Sequence, residues 1–404
     1  MRRFQRRWGP KVCLTLLVGL AAMQLSGCLV VDQRSNVPQE VTPGSRIAQV
    51  VGYPNDIRVW GDTQMPFPPK RLREFQEQRL RAAKADPSLN PGEINALTLS
   101  GGGSSGAFGA GILSGWSKTG TRPKFDVVTG ISTGALIAPF AFLGPDYDDE
   151  LTEAFTTVSD DDIFKFTGLR GVLRTASVTS NEPLRKMLGK YITEEVVNKV
   201  AIEYSKGRRL LIGTTNLDAD RPVIWNMGGI AASGRPDRVQ LFREVIIAST
   251  SIPGVFPPIY FDVSDDGRKY HEMHVDGGVT TEVFLMPAGM SLKGSGVKAR
   301  PRLYVIRNGR TLPEYSVTEA SLPAIAGKAI GSLIDTQAVG DLYRLYAIAQ
   351  RDGIDYNVVD IPATFTVKSE SVFDNKFMRA LYKVGYDMGA AGVKWQKLPP
   401  GFSH

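Results

Sequence analysis

Gly130-Ile131-Ser132-Thr133-Gly134 closes one apolar run, Phe125-Asp126-Val127-Val128, and is followed by another, Ala135 to Phe142. A strand, a sharp turn and a helix form the setting in which the serine of a G-x-S-x-G becomes a nucleophile. The glycines allow the tight turn, which holds the hydroxyl out toward a substrate. The helix that follows points its positive N-terminal end at developing charge. The motif is weak alone, because a chain rich in Gly and Ser meets it by chance. A second literal match runs from Gly102 to Gly106 around Ser104.

Three other features bear on Ser132. Gly101-Gly102-Gly103 follows a strand-like Ala96-Leu97-Thr98-Leu99. Consecutive glycines let successive backbone N–H groups turn toward one point, a nest able to stabilise an oxyanion. Asp276-Gly277-Gly278 follows the short run Tyr270 to Val275, which presents an aspartate at a strand end. The same pattern also describes an ordinary Asx turn. Histidine is scarce: only His271, His274 and the terminal His404. A Ser-His-Asp triad needs an imidazole. His274 shares a strand face with Asp276, so it is a candidate base, with a packed histidine as the other reading.

Together these residues resemble the patatin-like phospholipases, over roughly residues 93 to 310. The resemblance implies a three-layer α/β fold with a mainly parallel central sheet flanked by helices. It also implies a Ser–Asp dyad without histidine: Ser132 as nucleophile, Asp276 as general base, and the Gly101, Gly102 and Gly103 amides as oxyanion hole. Gly106, Gly130, Gly134, Gly277 and Gly278 are then motif glycines, and Ser104 a loop residue. Ala248 to Pro258, Leu211 to Leu217 with Val223 to Asn226, and Ser180 to Leu184 resemble further blocks of the family. One departure stands out. The family's glycine loop usually ends in a basic residue and glycine, and here Ser104-Ser105-Gly106 carries no cation, which weakens the case for phospholipids in particular.

The chemistry makes its own demand. An exposed aspartate is a weak base, with a reference pKa of about 3.9. General-base work by Asp276 requires a partly dry pocket that raises it.

The N-terminus reads as a targeting segment. Arg2, Arg3, Arg6, Arg7 and Lys11 precede an apolar Val12 to Met23, too short to span a bilayer. Leu25-Ser26-Gly27-Cys28 resembles a bacterial lipobox, which implies cleavage before Cys28, acylation of that cysteine and attachment to a bacterial membrane. Leu29, rather than an aspartate, follows it, and this favours the outer membrane of a Gram-negative cell. The only other cysteine is Cys13, so the mature body holds no disulfide, no cysteine nucleophile and no thiolate metal site.

The formal charge of +7 is misleading, because five of the 48 basic residues lie in the leader. Without them 43 basic residues face 41 acidic ones, no footprint for nucleic acid. Val31 to about Pro69 reads as a Pro/Gly-rich tether, and Lys70 to Lys84 as a charged helix. Apolar strand-like runs then alternate with helical stretches. Asp146 to Glu150 and Asp160 to Asp162 read as acids at helix starts. Residues 311–350 and 375–395 read as closing helices, with Ala324 to Leu345 packing on the core. The expected division is therefore a signal peptide over 1–27, a lipidated extension over 28–92, a catalytic core over 93–310 and C-terminal helices over 311–404.

No cofactor or metal site is expected, and the sequence leaves the oligomeric state open. The leading function is a membrane-anchored serine acyl hydrolase acting on lipid-like esters. The alternatives are a non-catalytic lipid- or partner-binding lipoprotein, and a dinucleotide-binding protein using Gly101 to Gly111, although the acid expected at the end of the next strand is missing.

Overall fold

The computed structural model describes residues 35–38, 46–62, 69–86, 89–163, 165–166, 179–287, 291, 299–313 and 315–402. The signal peptide, Cys28, most of the segment before residue 46, and His404 lie outside them. The strands are β1 (Gln49–Val50), β2 (Arg58–Trp60), β3 (Glu93–Leu99), β4 (Val127–Gly130), β5 (Lys165–Phe166), β6 (Thr179–Ser180), β7 (Arg209–Asn216), β8 (Arg221–Asn226), β9 (Ile259–Asp265), β10 (Arg268–Asp276), β11 (Arg300–Ile306) and β12 (Asp355–Val359). The helices are α1 (Pro69–Ala85), α2 (Gly106–Lys118), α3 (Thr133–Leu143), α4 (Asp148–Thr156), α5 (Asp160–Ile163), α6 (Glu182–Tyr191), α7 (Glu194–Ser205), α8 (Met227–Ala231), α9 (Arg238–Ser249), α10 (Leu322–Asp352) and α11 (Asn375–Ala390).

The centre of the large sheet is parallel, in the order β12-β11-β3-β4-β7. Strands covered on both faces read as near-continuous apolar runs, and β3 is buried from Ile94 to Leu99. One face sends Leu97, Leu99, Val128, Leu210 and Ile212 into the main core under α2, α3, α7 and α9. The other sends Ala96, Leu303 and Val305 against Leu342, Leu345 and Ile348 of α10. The expected α/β architecture is thus observed, and antiparallel β8, β9 and β10 extend it beyond β7.

The arrangement around β7 positions the site. β4 runs parallel to β7 and ends with Gly130 opposite Ile212. β10 runs antiparallel and ends with Asp276 opposite Thr214. The two strand ends therefore meet head to head along one edge of β7, with Gly213 between them. Gly130 leads into Ser132, so residues far apart in sequence converge without any long loop.

Two expectations need correction. Residues 46–62 fall in the stretch read as a tether, yet β1 pairs with β9 and β2 with β8. Ala48, Tyr53, Ile57 and Trp60 are fully buried. Spaced apolar residues among Pro, Gly and Asp were enough to add edge strands, which polar composition concealed. Even Ser35 is stitched on, its carbonyl accepting the His271 N–H at 2.8 Å. Second, α10 packs on the core only through its C-terminal half. Leu322, Ile325, Ile330 and Leu333 are exposed, so Ala324 to Leu345 is not a core helix throughout.

The glycines of α2 have a packing role. Gly111 and Gly115 lie against the backbone of Tyr382 and Tyr386 on α11, and Gly385 and Gly389 of α11 meet Phe108 and Ile112 in return. This accounts for the glycine-rich stretch that suggested dinucleotide binding. Asp126, next along the chain, sits at the start of β4 and pairs with Arg79 at 2.9 Å, at the opposite end of the strand from the glycine loop. Asp148 to Glu150 and Asp160 to Asp162 occupy the first turns of α4 and α5, as read from the sequence.

Candidate active site

Ser132 stands between β4 and α3 with φ +53° and ψ −124°. Few non-glycine residues adopt positive φ, and a strained serine at a strand–helix turn is the nucleophile-elbow geometry. The surroundings hold it there. Its N–H donates to Ser249 Oγ at 3.0 Å, and Ser249 in turn donates to the Gly213 carbonyl at 2.7 Å. Gly134 is obligatory, because a Cβ there would overlap the Leu99 carbonyl.

Asp276 is buried, as the chemistry demanded, and burial pushes its carboxyl up to about 7. The Ser132 hydroxyl and the Gly278 N–H, the latter at 2.8 Å on Oδ1, favour the ionised form. Asp276 Oδ2 is buried without a well-formed hydrogen bond. Ser132 is thus beside the carboxyl but loosely aligned with it, as catalytic contacts often are in the absence of substrate.

His274 is elsewhere in its bonding. It is fully buried, its Nδ1 2.8 Å from Thr214 Oγ1 and its Nε2 3.1 Å from Glu272 Oε2. Trp225 Nε1–H donates to the same Thr214 oxygen, so the Thr214 hydroxyl is free to donate to Nδ1. Nε2–H then donates to Glu272, which also binds Arg58. Burial lowers the pKa of His274, and the ring is a neutral, packed residue, with no bond to Ser132 or Asp276 among the described residues.

The glycine loop follows β3. Gly102 has φ +148°, and a Cβ there would overlap the Asn308 carbonyl oxygen. The Gly102 and Gly103 N–H groups have no protein acceptor among the described residues. Gly101 is different and departs from the expected three-amide oxyanion hole: its N–H donates to Glu282 Oε2 at 2.8 Å. That donor is already used, which leaves the Gly102 and Gly103 N–H groups as the candidate donors. Ser104 lies in the short helical turn Gly103–Ser105 that follows.

Sequence reading missed the residues that fix the loop. Glu282, six positions after Asp276, is buried below it, and burial pushes its carboxyl up to about 8. Its only sequence signal is a lone acid in an otherwise uncharged stretch. Asn308 donates to the Ser100 carbonyl and accepts the Gly109 N–H. Arg307, fully buried, binds Asp335 at 2.9 Å. It therefore lies beneath the loop and does not replace the cation missing at Ser104 and Ser105.

Chemically, a serine on a strained elbow, a carboxyl poised near neutrality and two neighbouring N–H donors without protein acceptors can carry out acyl transfer. The comparisons agree with that class. Residues 97–288, a little under half of the chain, match the family model of the patatin-like phospholipases, and this stretch is a domain of that family. No curated protein sequence matches the chain.

Among solved structures the chain is similar to VipD from Legionella pneumophila, at 11% identity and TM-score 0.37 over 74% of this chain and 66% of that one. It is also similar to human GIVD cytosolic phospholipase A2, at 10% identity and TM-score 0.36 over 72% and 54%. ExoU of Pseudomonas aeruginosa, solved with SpcU, matches at 12% identity and TM-score 0.27 over 90% and 60%. The chain spans just under two thirds of VipD and about half of the human enzyme. These likenesses are distant, and the family match carries the assignment.

Proposed function

We propose that the protein is a serine acyl hydrolase that cleaves lipid carboxylic esters by a Ser132–Asp276 dyad. The observation that carries this reading is the meeting of Ser132 and a buried Asp276 along one edge of β7, beside two free glycine amides. Asp276 takes the hydroxyl proton as Ser132 Oγ attacks the ester carbonyl carbon. The Gly102 and Gly103 N–H groups receive the oxyanion. Collapse breaks the ester C–O bond, and the leaving alkoxide takes the proton from Asp276. Water then attacks the acyl-enzyme, giving its proton to Asp276, and Ser132 recovers it as the free acid leaves.

The exposed apolar side chains support a lipid substrate. Leu312, Tyr315, Val317, Leu322, Ile325 and Leu333 are all exposed. The last three belong to α10, which packs against the turn Gly277–Val279 beside Asp276, and Val279 is itself exposed. Large exposed apolar side chains on an element that reaches the site fit a lipid interface.

The anchor is part of the proposal. Acylation at Cys28 after removal of residues 1–27 would tie the enzyme to a bacterial envelope, the outer membrane in a Gram-negative cell. No described helix is long and apolar enough to cross a membrane. The catalytic core over 93–310 and the helices over 311–404 then form one body, joined by residues 46–62 of the extension.

A fluorophosphonate probe tests the central claim. It is expected to label the wild type and not Ser132→Ala, with ester turnover lost in parallel. A protein that only binds lipid would take no label, and turnover in pure Ser132→Ala would remove the dyad.

A further inference from the structure

The sheet face under α10 is filled only in part. Beside it, Ala96, Val127, Leu211 and Ile224 from four neighbouring strands, with Phe75 of α1 and Leu285, line a partly open cavity of about 250 Å³. Small-molecule sites are concave, mostly apolar clefts of about 300–1,000 Å³, and this one lies just below that range. The cavity plays no part in the chemistry proposed above. It lies over the strands themselves, whereas Ser132 and Asp276 stand past their ends.

One wall carries a cation whose bonds are all to neutral groups. Arg209 opens β7 and stacks against two rings of the cavity, Tyr204 at 4.5 Å and Phe75 at 5.4 Å. Its guanidinium donates to the Tyr204 and Arg208 carbonyls and to Gln78 Oε1. No carboxylate forms an ion pair with it among the described residues, and its Nε–H has no protein acceptor there. The other basic groups lining the cavity are committed, Arg58 to Glu272 and Arg302 to Glu93. Two acids, Asp56 and Glu74, are exposed at the rim, and the Glu74 carboxylate acts on Arg209 through space without a direct ion pair.

We propose that this cavity binds a single-chain fatty acid, its hydrocarbon against Leu211, Ile224 and Phe75 and its carboxylate on Arg209. A guanidinium partly removed from water gains most from an anionic acceptor with two oxygens. One negative charge suits a rim that already carries Asp56 and Glu74, and a phosphate dianion does not. The site is independent of the proposed hydrolysis, although a fatty acid would be that reaction's product. A smaller void of about 20 Å³ shares Ile224, Leu285 and Met286 with the cavity and continues to Ile131 and Gly277, the neighbours of Ser132 and Asp276.

The test titrates the full chain with cis-parinaric acid, a fluorescent fatty acid, and, on a Ser132→Ala background that cannot hydrolyse it, with its neutral methyl ester. Wild type is expected to bind the acid, and Ser132→Ala to bind it equally well, which separates this site from the reaction centre. Arg209→Gln is expected to weaken the acid about tenfold and to leave the methyl ester unchanged, which also shows that the variant is folded. Leu211→Phe, which fills the cavity, is expected to weaken both ligands at least tenfold while melting near wild type. Affinities untouched by both variants, or binding lost once a fluorophosphonate occupies Ser132, would overturn the assignment. Equal loss of acid and ester in Arg209→Gln would overturn the role of its charge.

Discussion

Glu282 reaches up from beneath the glycine loop and accepts the Gly101 amide hydrogen at 2.8 Å. The bond aims the loop while removing one donor from it, so a residue absent from the motif helps set the direction of the two amides that remain. Glu282→Gln keeps an acceptor at the same length. We expect kcat to fall about tenfold or less with KM nearly unchanged, because the loop acts on the transition state. Glu282→Ala leaves the Gly101 N–H unpaired and should cost about 10²-fold in kcat. Steady-state kinetics on one short ester compares the three proteins.

The two buried carboxyls predict a bell-shaped pH profile. Asp276 must be ionised to act as a base, so kcat/KM should rise with pH toward about 7. Ionising Glu282, pushed up to about 8, puts a second anion behind the oxyanion loop and should lower activity above that value. The two groups repel each other, so the limbs belong to the pair. Glu282→Gln should abolish the alkaline fall and keep the acidic limb. A profile flat from pH 5 to 9 would contradict both assignments.

Burying Asp276 also carries a stability cost with a definite sign. Its folded pKa lies above the ordinary carboxylate value, so the native state holds the proton more tightly than the unfolded chain. Stability therefore declines as pH rises from the ordinary carboxylate range to about 7, then levels off. Asp276→Asn has no such charge to bury. It should be inactive yet more stable than wild type at pH 8, by up to a few kcal/mol, with the difference shrinking near pH 4. Thermal melts at the two pH values check this.

The left-handed backbone at Ser132 predicts a contrast between two dead variants. Ser132→Gly relieves the strain of φ +53° and Ser132→Ala keeps it. The glycine variant should be more stable by about 1–2 kcal/mol, measured by urea unfolding. Equal stabilities would mean that the elbow stores no strain.

The exposed apolar side of α10 predicts a split between substrates. Replacing Leu322, Ile325 and Leu333 together with serine should reduce sedimentation with vesicles and hydrolysis of vesicle-borne lipid by about tenfold or more. Turnover of a water-soluble short ester should stay within about twofold, since none of the three lies in the reacting site.

Much of the proposed site was legible because the residues it rests on lie in short, contiguous motifs. Ser132, Asp276 and the glycine run announce themselves through turn geometry that few other residues can adopt. What escaped was supplied across the sheet. Glu282 and Asn308 act on the loop through hydrogen bonds set by tertiary packing, and no local pattern encodes them. The exposed half of α10 escaped for a related reason. Its apolar residues recur at helical spacing, which marks an apolar face without saying whether that face meets protein or solvent. Residues 46–62 were hidden by composition, since edge strands need only a few buried side chains among turn formers.

The stitch between Ser35 and His271 limits reach. If Cys28 carries acyl chains as proposed, only six residues separate it from Ser35, a span of about 25 Å when fully drawn out. On so short a leash the enzyme would graze the leaflet that holds it, and a facing bilayer would be out of range.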